Sequence, residues 1–310
     1  MKYRILGKTG IKVSVVGVGT WQFGGEWGGA FTQAMANPVL EKAKELGINL
    51  LDTAECYGDH HSESLIGAWL KGQRQDWVLA TKFGHKYHSA FNRSERWSAK
   101  EAVETVEDSL RALQTDTIDL LQFHSGVDAV FNNDELWKAL NGLVQSGKVR
   151  HLGISVGANQ DNFYQTSQAT RVGAEAIQVI YNRLDRMPEE KVFPSCVEQN
   201  LGVLARVPLA SGLLSGKYKP GTLFTDPEDI RSKRDPVQVE ERLKQVEDIR
   251  RSEVPAGLPM ATWALAWCLQ HPAVTCVIPG CKNAGQVAAN AAAADLAMVR
   301  EDHPQAAEDK

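Results

Sequence analysis

Cysteine, surplus charge and long apolar runs are all scarce in this chain of 310 residues. The five cysteines, Cys56, Cys196, Cys268, Cys276 and Cys281, are odd in number and form no CxxC pair. That argues against a disulfide framework or a structural zinc site. The 34 basic and 38 acidic residues leave a net charge of −4, so there is no electrostatic case for nucleic acid or an anionic membrane as a partner. No stretch approaches the roughly 18 apolar residues of a membrane span. The opening MKYRILGKTG lacks the apolar centre of a signal peptide. We expect a cytoplasmic protein with reduced thiols that acts on a small molecule. A GxGxxG after the first strand is also missing, because Gly17 and Gly19 of GVGTWQFGG have the wrong spacing. This disfavours a Rossmann site. The histidine pairs His60/His61 and His85/His88 have no matching carboxylate pattern and read as solvated loop residues, so no metal is expected.

What is present is a period. The composition, 43% hydrophobic, is that of a globular chain with a large core. YRILGKTGIKVS reads as a β-hairpin around Gly-Lys-Thr-Gly. After it a short β-branched run followed by a longer helical stretch recurs about eight times. The candidate strands are 13–19, 48–53, 77–82, 117–124, 151–156, 176–182, 202–209 and 275–280. Amphipathic stretches such as 98–113 and 134–147 lie between them, the second stopped by Gly147. The strands are continuously apolar, as in a parallel sheet buried on both faces. Eight such units argue for a single α/β domain over 1–310, a closed (β/α)8 TIM barrel with an N-terminal β-hairpin. An open doubly wound sheet is the competitor. Segment 217–236 reads as a loop insertion over the barrel mouth, 237–251 as an extra external helix, and 300–310 as a frayed polar tail.

Four residues carry the chemistry. Asp52, Lys82 and His124 close three successive strands, and Tyr57 follows in the loop after Asp52. Singly, each has an ordinary reading as a cap, a solvated amine, a rim imidazole or a loop phenol. Together at one rim they make a proton-donor site, since a buried ammonium can lower the pKa of a phenol beside it. Such a site protonates an oxygen while something else delivers hydride. No side chain is a hydride donor, so a nicotinamide cofactor is required.

The segments GVGTW, INLLDTAECYG, ATKFG, DLLQFH, QVIYN, LASGLLSGKY and VIPGCKNAGQVAAN, in this order across residues 1–295, resemble the aldo-keto reductase superfamily. The likeness is strongest to bacterial general aldo-keto reductases related to the potassium channel β subunits. The resemblance implies NADP(H)-dependent reduction of aldehydes or ketones, or the reverse, with NAD(H) as a secondary cofactor. Tyr57 would be the general acid, Lys82 would lower its pKa, Asp52 would hold Lys82, and His124 would orient the carbonyl. The cofactor would lie across the mouth along Gly19, Thr20, Trp21 and Asp52. Tyr181 would stack on the nicotinamide, and Ser155 and Gln178 would bind its carboxamide. Leu209, Ser211, Gly212, Leu213, Ser215 and Lys217 would hold the pyrophosphate, a role that suits their backbone amides and hydroxyls. Gly280 and Lys282 precede a helix, where an anion such as a 2′-phosphate is favoured. Gln286 and Asn290, four apart on that helix, would meet the adenosine. Trp21, Phe83 and Tyr87 would line the substrate pocket with loop 25–33.

The chain departs from that pattern in three places. Many relatives have Ser-Asn where this chain has Ser155-Val156, so one amide contact is missing. Lys282 stands where Arg is common and lacks the bidentate fork. Ser125 follows His124 in place of an aromatic. A redox-sensing or regulatory subunit with little turnover is the alternative function. A metal-dependent hydrolase would need strand-end ligand clusters that the sequence does not offer.

Overall fold

The computed structural model describes residues 1–158 and 162–307. Among these, twelve strands form: β1 Tyr3–Ile5, β2 Lys12–Ser14, β3 Val18–Gly19, β4 Leu50–Asp52, β5 Val78–Phe83, β6 His85–Ser89, β7 Asn92–Glu95, β8 Ile118–His124, β9 Val149–Ser155, β10 Ala174–Ile180, β11 Gly202–Arg206 and β12 Cys276–Ile278. Eight run parallel in the order β3-β4-β5-β8-β9-β10-β11-β12. Parallel bridges Val16–Val277 and Gly19–Gly280 join the ends, with Gly17 N donating to Val277 O at 2.8 Å and Gly19 N to Pro279 O at 3.0 Å. The seam needs glycine: a Cβ on Gly19 would stand 2.7 Å from Ile278 O. The expected closed (β/α)8 barrel is what forms, and the open sheet is excluded.

The run 13–19, expected as one strand, is divided. Val13 and Ser14 belong to the hairpin β1/β2, which pairs Tyr3 with Ser14 and Ile5 with Lys12. Ser14 interrupts the run because its hydroxyl turns back to Val16 O at 2.7 Å and its N–H goes to Asn49 Oδ1 at 2.7 Å. The hairpin then plugs the barrel floor. Leu6 and Val13 pack with Leu50, Val78, Ala80, Leu120, Ala176, Leu204, Cys276 and Ile278 in one buried cluster, the barrel interior.

A second, larger apolar layer lies between strands and helices. It takes the alternate strand positions, among them Leu51, Leu79, Leu121, Ile154, Ile177, Val179, Val203 and Val277, because successive side chains point to opposite faces. The helices start where local chemistry says they should. Ser98 and Glu101 form a capping box on Ala99–Leu113, and the Asn133 side chain caps Asp134–Gln145. Asp235 caps Pro236–Ser252, with Pro236 in its first turn; this is the external helix expected at 237–251.

Two regions differ from expectation. The tail does not fray as far as it is described. Ile5 N donates to Gln305 O at 2.7 Å and Ala307 N to Tyr3 O at 3.0 Å, and His303 is buried. The hairpin edge β1 offers unpaired backbone groups, and the polar tail satisfies them. Residues 308–310 lie outside the described residues. The second difference is the antiparallel hairpin β6/β7, which rises beyond β5 where only a loop was expected. Among the described residues no helix is long and apolar enough to cross a membrane.

Candidate active site

Counting by two along the inward face places the site. Leu50 is followed by Asp52, Ala80 by Lys82, Leu120 by Gln122 and then His124, Ala176 by Gln178, and Leu204 by Arg206. The apolar interior therefore ends in a polar layer at the carboxyl ends of the strands, where barrels of this type carry their chemistry.

Lys82 Nζ donates to Asp52 Oδ2 at 2.8 Å, to Thr53 O at 2.7 Å and to Tyr57 OH at 3.4 Å. Lys82 is 1% exposed and Tyr57 9%. The other carboxylate oxygen of Asp52 accepts from Gln122 Nε2 at 3.1 Å and Gln178 Nε2 at 2.7 Å. Asp52 is thus fixed on both oxygens and holds the ammonium against the phenol. Burial alone lowers the Lys82 pKa, but Asp52 and then Tyr57 outweigh it and hold it above the ordinary value. The ammonium stays charged. For Tyr57 the balance goes the other way: burial pushes its pKa up to about 12, against the downward pull of Lys82. In this state Lys82 moderates a rise in the phenol's pKa and does not bring it below the ordinary value.

His124 stands with its ring 6.3 Å from that of Tyr57, nearly perpendicular. Burial drives it well below the ordinary imidazole value, and neighbouring His85 and Lys82 act the same way. It is a neutral imidazole at neutral pH. The quartet read from the sequence is therefore brought together at one rim.

Trp21 follows β3 and its ring stacks beside Tyr57, 6.2 Å away at 23°. Its indole N–H goes to Glu26, which also takes Arg93 and, at 3.1 Å, Phe91 N. Glu26 ties the loop after β3 to the hairpin β6/β7. Gly24 on that loop lies so close to the phenol's turn that a Cβ there would be 2.7 Å from Tyr57 C.

A cleft opens beside Tyr57. Its lining includes Gly19, Thr20, Trp21, Asp52, Gln178, Leu209, Ser211 and Gly280 of the expected groove, Trp27 of the expected loop 25–33, and Gln22 and Arg206 that the sequence reading missed. Ser211 and Gly212 have left-handed backbones, φ 58° and 92°, and the Ser211 hydroxyl accepts from Arg234 at 2.6 Å. Ser155 is buried, its hydroxyl 3.4 Å from Gln178 Oε1. Leu213 is buried in the outer layer. Ser215 Oγ accepts from Lys217 N at 3.3 Å, and Lys217 is exposed. Lys282 donates to Trp27 O, and its own N–H reaches Gln286 Oε1 at 2.8 Å. Asn290 Nδ2 bonds Cys281 Sγ at 3.2 Å. Segment 217–236 meets the loop after β3: Ile230 N donates to Glu26 O and Gly28 N to Glu228 O, both at 3.2 Å.

Two expected contacts fall on the wrong face. Tyr181 is 1% exposed and packs between Phe193 at 4.8 Å and Trp267 at 5.3 Å, its hydroxyl on Glu189 at 2.8 Å. It continues the outward alternation of Ile177 and Val179, so its ring points away from the cleft. Phe83 follows Leu79 and Thr81 outward and packs on Trp97 and Phe123. Tyr87 stands half-buried on β6, outside the cleft lining.

In place of Tyr181 the cleft holds Arg206. Its Nη2 donates to Val156 O at 3.0 Å, next to the position where the amide side chain is missing. Its buried Nε has no partner among the described residues, and neither have Gln22 Oε1 and Trp27 Nε1. Three orphaned polar atoms around one cleft call for a polar ligand, because an unmet buried donor costs about 1–3 kcal/mol.

The chain is similar to known proteins along most of its length. A family model described as the aldo/keto reductase family matches residues 15–308. Aldo-keto reductase YhdN of Bacillus subtilis (strain 168) is 31% identical over 93% of this chain and 87% of its own. A probable voltage-gated potassium channel subunit beta of Oryza sativa subsp. japonica is 29% identical over 96% and 92%. The holo form of aldo-keto reductase AKR11C1 from Bacillus halodurans superposes with a TM-score of 0.81 at 33% identity, over 98% of this chain and 94% of that one. With a closed parallel barrel and a lysine-backed tyrosine at its mouth, the chain belongs to the aldo/keto reductase family and is an oxidoreductase of that family.

Proposed function

We propose that the protein reduces aldehydes or ketones with NADPH, or runs the reverse reaction, with Tyr57 as general acid. The buried Asp52–Lys82–Tyr57 chain carries the reading, with Lys82 Nζ 2.8 Å from the carboxylate and 3.4 Å from the phenol. A fixed cation at that place favours the alkoxide-like charge that develops on the substrate oxygen.

The nicotinamide, when bound, supplies the hydride. The residues present fit it. The orphaned donors of Arg206 and Trp27 and the carbonyl of Gln22 ring the cleft. Ser211, on a left-handed turn, lines the same cleft, and Lys282 precedes the helix Ala284–Ala291. We assign the nicotinamide end to the space between Trp21, Gln178 and Arg206, which takes over from Tyr181. Lys282 favours NADPH over NADH as a point charge.

The chain's own work is then proton handling. Tyr57 holds its proton until the carbonyl oxygen arrives and then passes it on. Neutral His124 donates a hydrogen bond that orients the carbonyl. Trp21 walls the cleft and keeps water from the reacting carbon. NADPH oxidation with a panel of reactive aldehydes tests the reading. Turnover should collapse in Tyr57→Phe, and a variant as fast as the parent would remove Tyr57 from the mechanism. The likeness to the rice channel subunit favours a second reading, a cofactor-bound redox sensor. Tight NADPH binding with negligible turnover on every carbonyl would select it. We place the protein in the cytoplasm.

A further inference from the structure

One cluster behind the catalytic rim joins His124 to two residues, Glu55 and Cys56, that have no part in proton delivery. Glu55 and Cys56 lie on the turn between β4 and Tyr57, and His124 ends β8. Cys56 Sγ is 3.8 Å from His124 Nδ1, and Glu55 Oε2 is 3.9 Å from the same nitrogen. All three donor atoms lie within 4.8 Å of one another. Glu55 is 2% exposed. Its Oε1 accepts from His85 N at 2.9 Å, while its buried Oε2 makes no hydrogen bond among the described residues. A carboxylate oxygen held dry beside a thiol and an imidazole, at a distance from both that fits no hydrogen bond, is the unexplained feature.

We propose that Glu55 Oε2, Cys56 Sγ and His124 Nδ1 form a site for a thiophilic divalent cation, zinc first, whose occupancy competes with turnover.

The donor set is that of zinc: one sulfur, one imidazole nitrogen and one carboxylate oxygen. Bonds of about 2.0–2.3 Å to a tetrahedral ion need donors closer together than they now stand, so a small contraction of the turn completes the site. The fourth position goes to water on the side where the His124 side chain keeps 13% exposure. On binding, the Cys56 S–H bond breaks and the thiolate pair binds the metal. That proton, and any proton on Glu55, leaves to solvent. Thiolate and carboxylate together cancel the charge of the ion, which lets it sit near Lys82 and Arg93. The His85 Nε2 is engaged with His124 O at 2.8 Å and stays outside the site. Contraction draws in the two residues before Tyr57 and shifts the turn that carries the phenol, so metal and productive geometry exclude each other. Binding does not depend on the reductase reading; only its inhibitory consequence does.

The test is a cobalt and zinc titration of the chelator-treated full chain. Expected are one metal per chain, a thiolate-to-cobalt charge-transfer band, its loss on adding zinc, and proton release. Cys56→Ala should abolish the band, and Glu55→Gln should weaken binding by more than about tenfold, since even outer-shell partners are worth that much. His60→Ala should leave both unchanged, although His60 and Glu63 form a nearby pair at 2.5 Å. If Cys56→Ala does not fold by circular dichroism, Glu55→Gln decides the matter alone. No band in the parent, or unchanged binding in Glu55→Gln, overturns the site. Undiminished turnover at saturating zinc overturns the switch. The band is read without substrate or cofactor, so failure of the site and failure of the reductase reading are seen separately.

Discussion

The floor and the mouth of this barrel are built from the same strands and the same inward face, two residues apart. At the floor Leu50, Val78, Leu120, Ala176, Leu204 and Cys276 close over Leu6 and Val13 of the hairpin. At the mouth Asp52, Lys82, Gln122 and Gln178 are just as buried but polar, and Arg206 is half-buried beside them. Burial at the floor removes apolar area from water and stabilises the fold. Burial at the mouth sets ions in a dry site, where an ion pair adds little net stability yet is costly to break. One end serves stability and the other the proposed chemistry.

Substitutions can break that contrast. The largest effect is expected at Lys82. Lys82→Met should cost both roughly 10²–10⁴ in turnover and about 3–5 kcal/mol of stability, because Asp52 is left buried without its counter-ion. Adding Asp52→Asn should recover most of the stability and none of the turnover, as read by denaturant unfolding beside kinetics. Unchanged stability in the single variant would mean that water, not Lys82, neutralises Asp52. At the floor, Leu120→Ala should lose about 2–5 kcal/mol with turnover per folded molecule intact.

Arg206→Met and Tyr181→Phe form the next pair. The first should weaken NADPH binding tenfold or more, given about 1.5–3 kcal/mol for a hydrogen bond to a charged group. The second, which keeps the ring, should lose about 1 kcal/mol of stability with its bond to Glu189. Tyr181→Leu, which removes the ring, should bind NADPH as before, and weakened binding there would return Tyr181 to the cofactor. The pH profile is a gentler probe. As the proposed general acid Tyr57 must keep its proton, and burial has moved its pKa upward, to about 12. Reduction should be insensitive to Tyr57 ionisation near neutrality and lose rate only as pH approaches about 12. Oxidation, which needs the phenolate, should gain rate over the same range. A limb near neutrality that vanishes in Tyr57→Phe would show that bound cofactor lowers this pKa. Smallest is Lys282→Ala, which should reduce the preference for NADPH over NADH by less than about tenfold, as expected of an exposed charge.

Much of the site was legible because strand ends are marked in the sequence. Asp52, Lys82 and His124 each end an apolar run, and Tyr57 follows by a short turn, so local pattern sufficed. Tyr181 and Phe83 were misplaced although the needed signal was there. Each lies an odd number of residues from an inward position, Gln178 and Lys82 respectively, and alternation sends it to the other face. The same count would have found Arg206. Glu26 gave no such signal. It reaches Trp21 on its own loop and Arg93 across 67 residues, on a hairpin whose pairing depends on tertiary context. The tail beyond residue 300 looked free because it is polar, but its backbone, not its side chains, pairs with β1.

The sequence by itself determined the barrel, the rim that gathers the polar residues and the phenol with its ammonium, because periodicity and strand-end residues are local properties. Tertiary structure alone decided the direction of the Tyr57 pKa, the loss of Tyr181 from the cleft, and the meeting of Glu55, Cys56 and His124. Each of these depends on how much water is excluded and on which distant strands stand side by side, and no short stretch of chain encodes either.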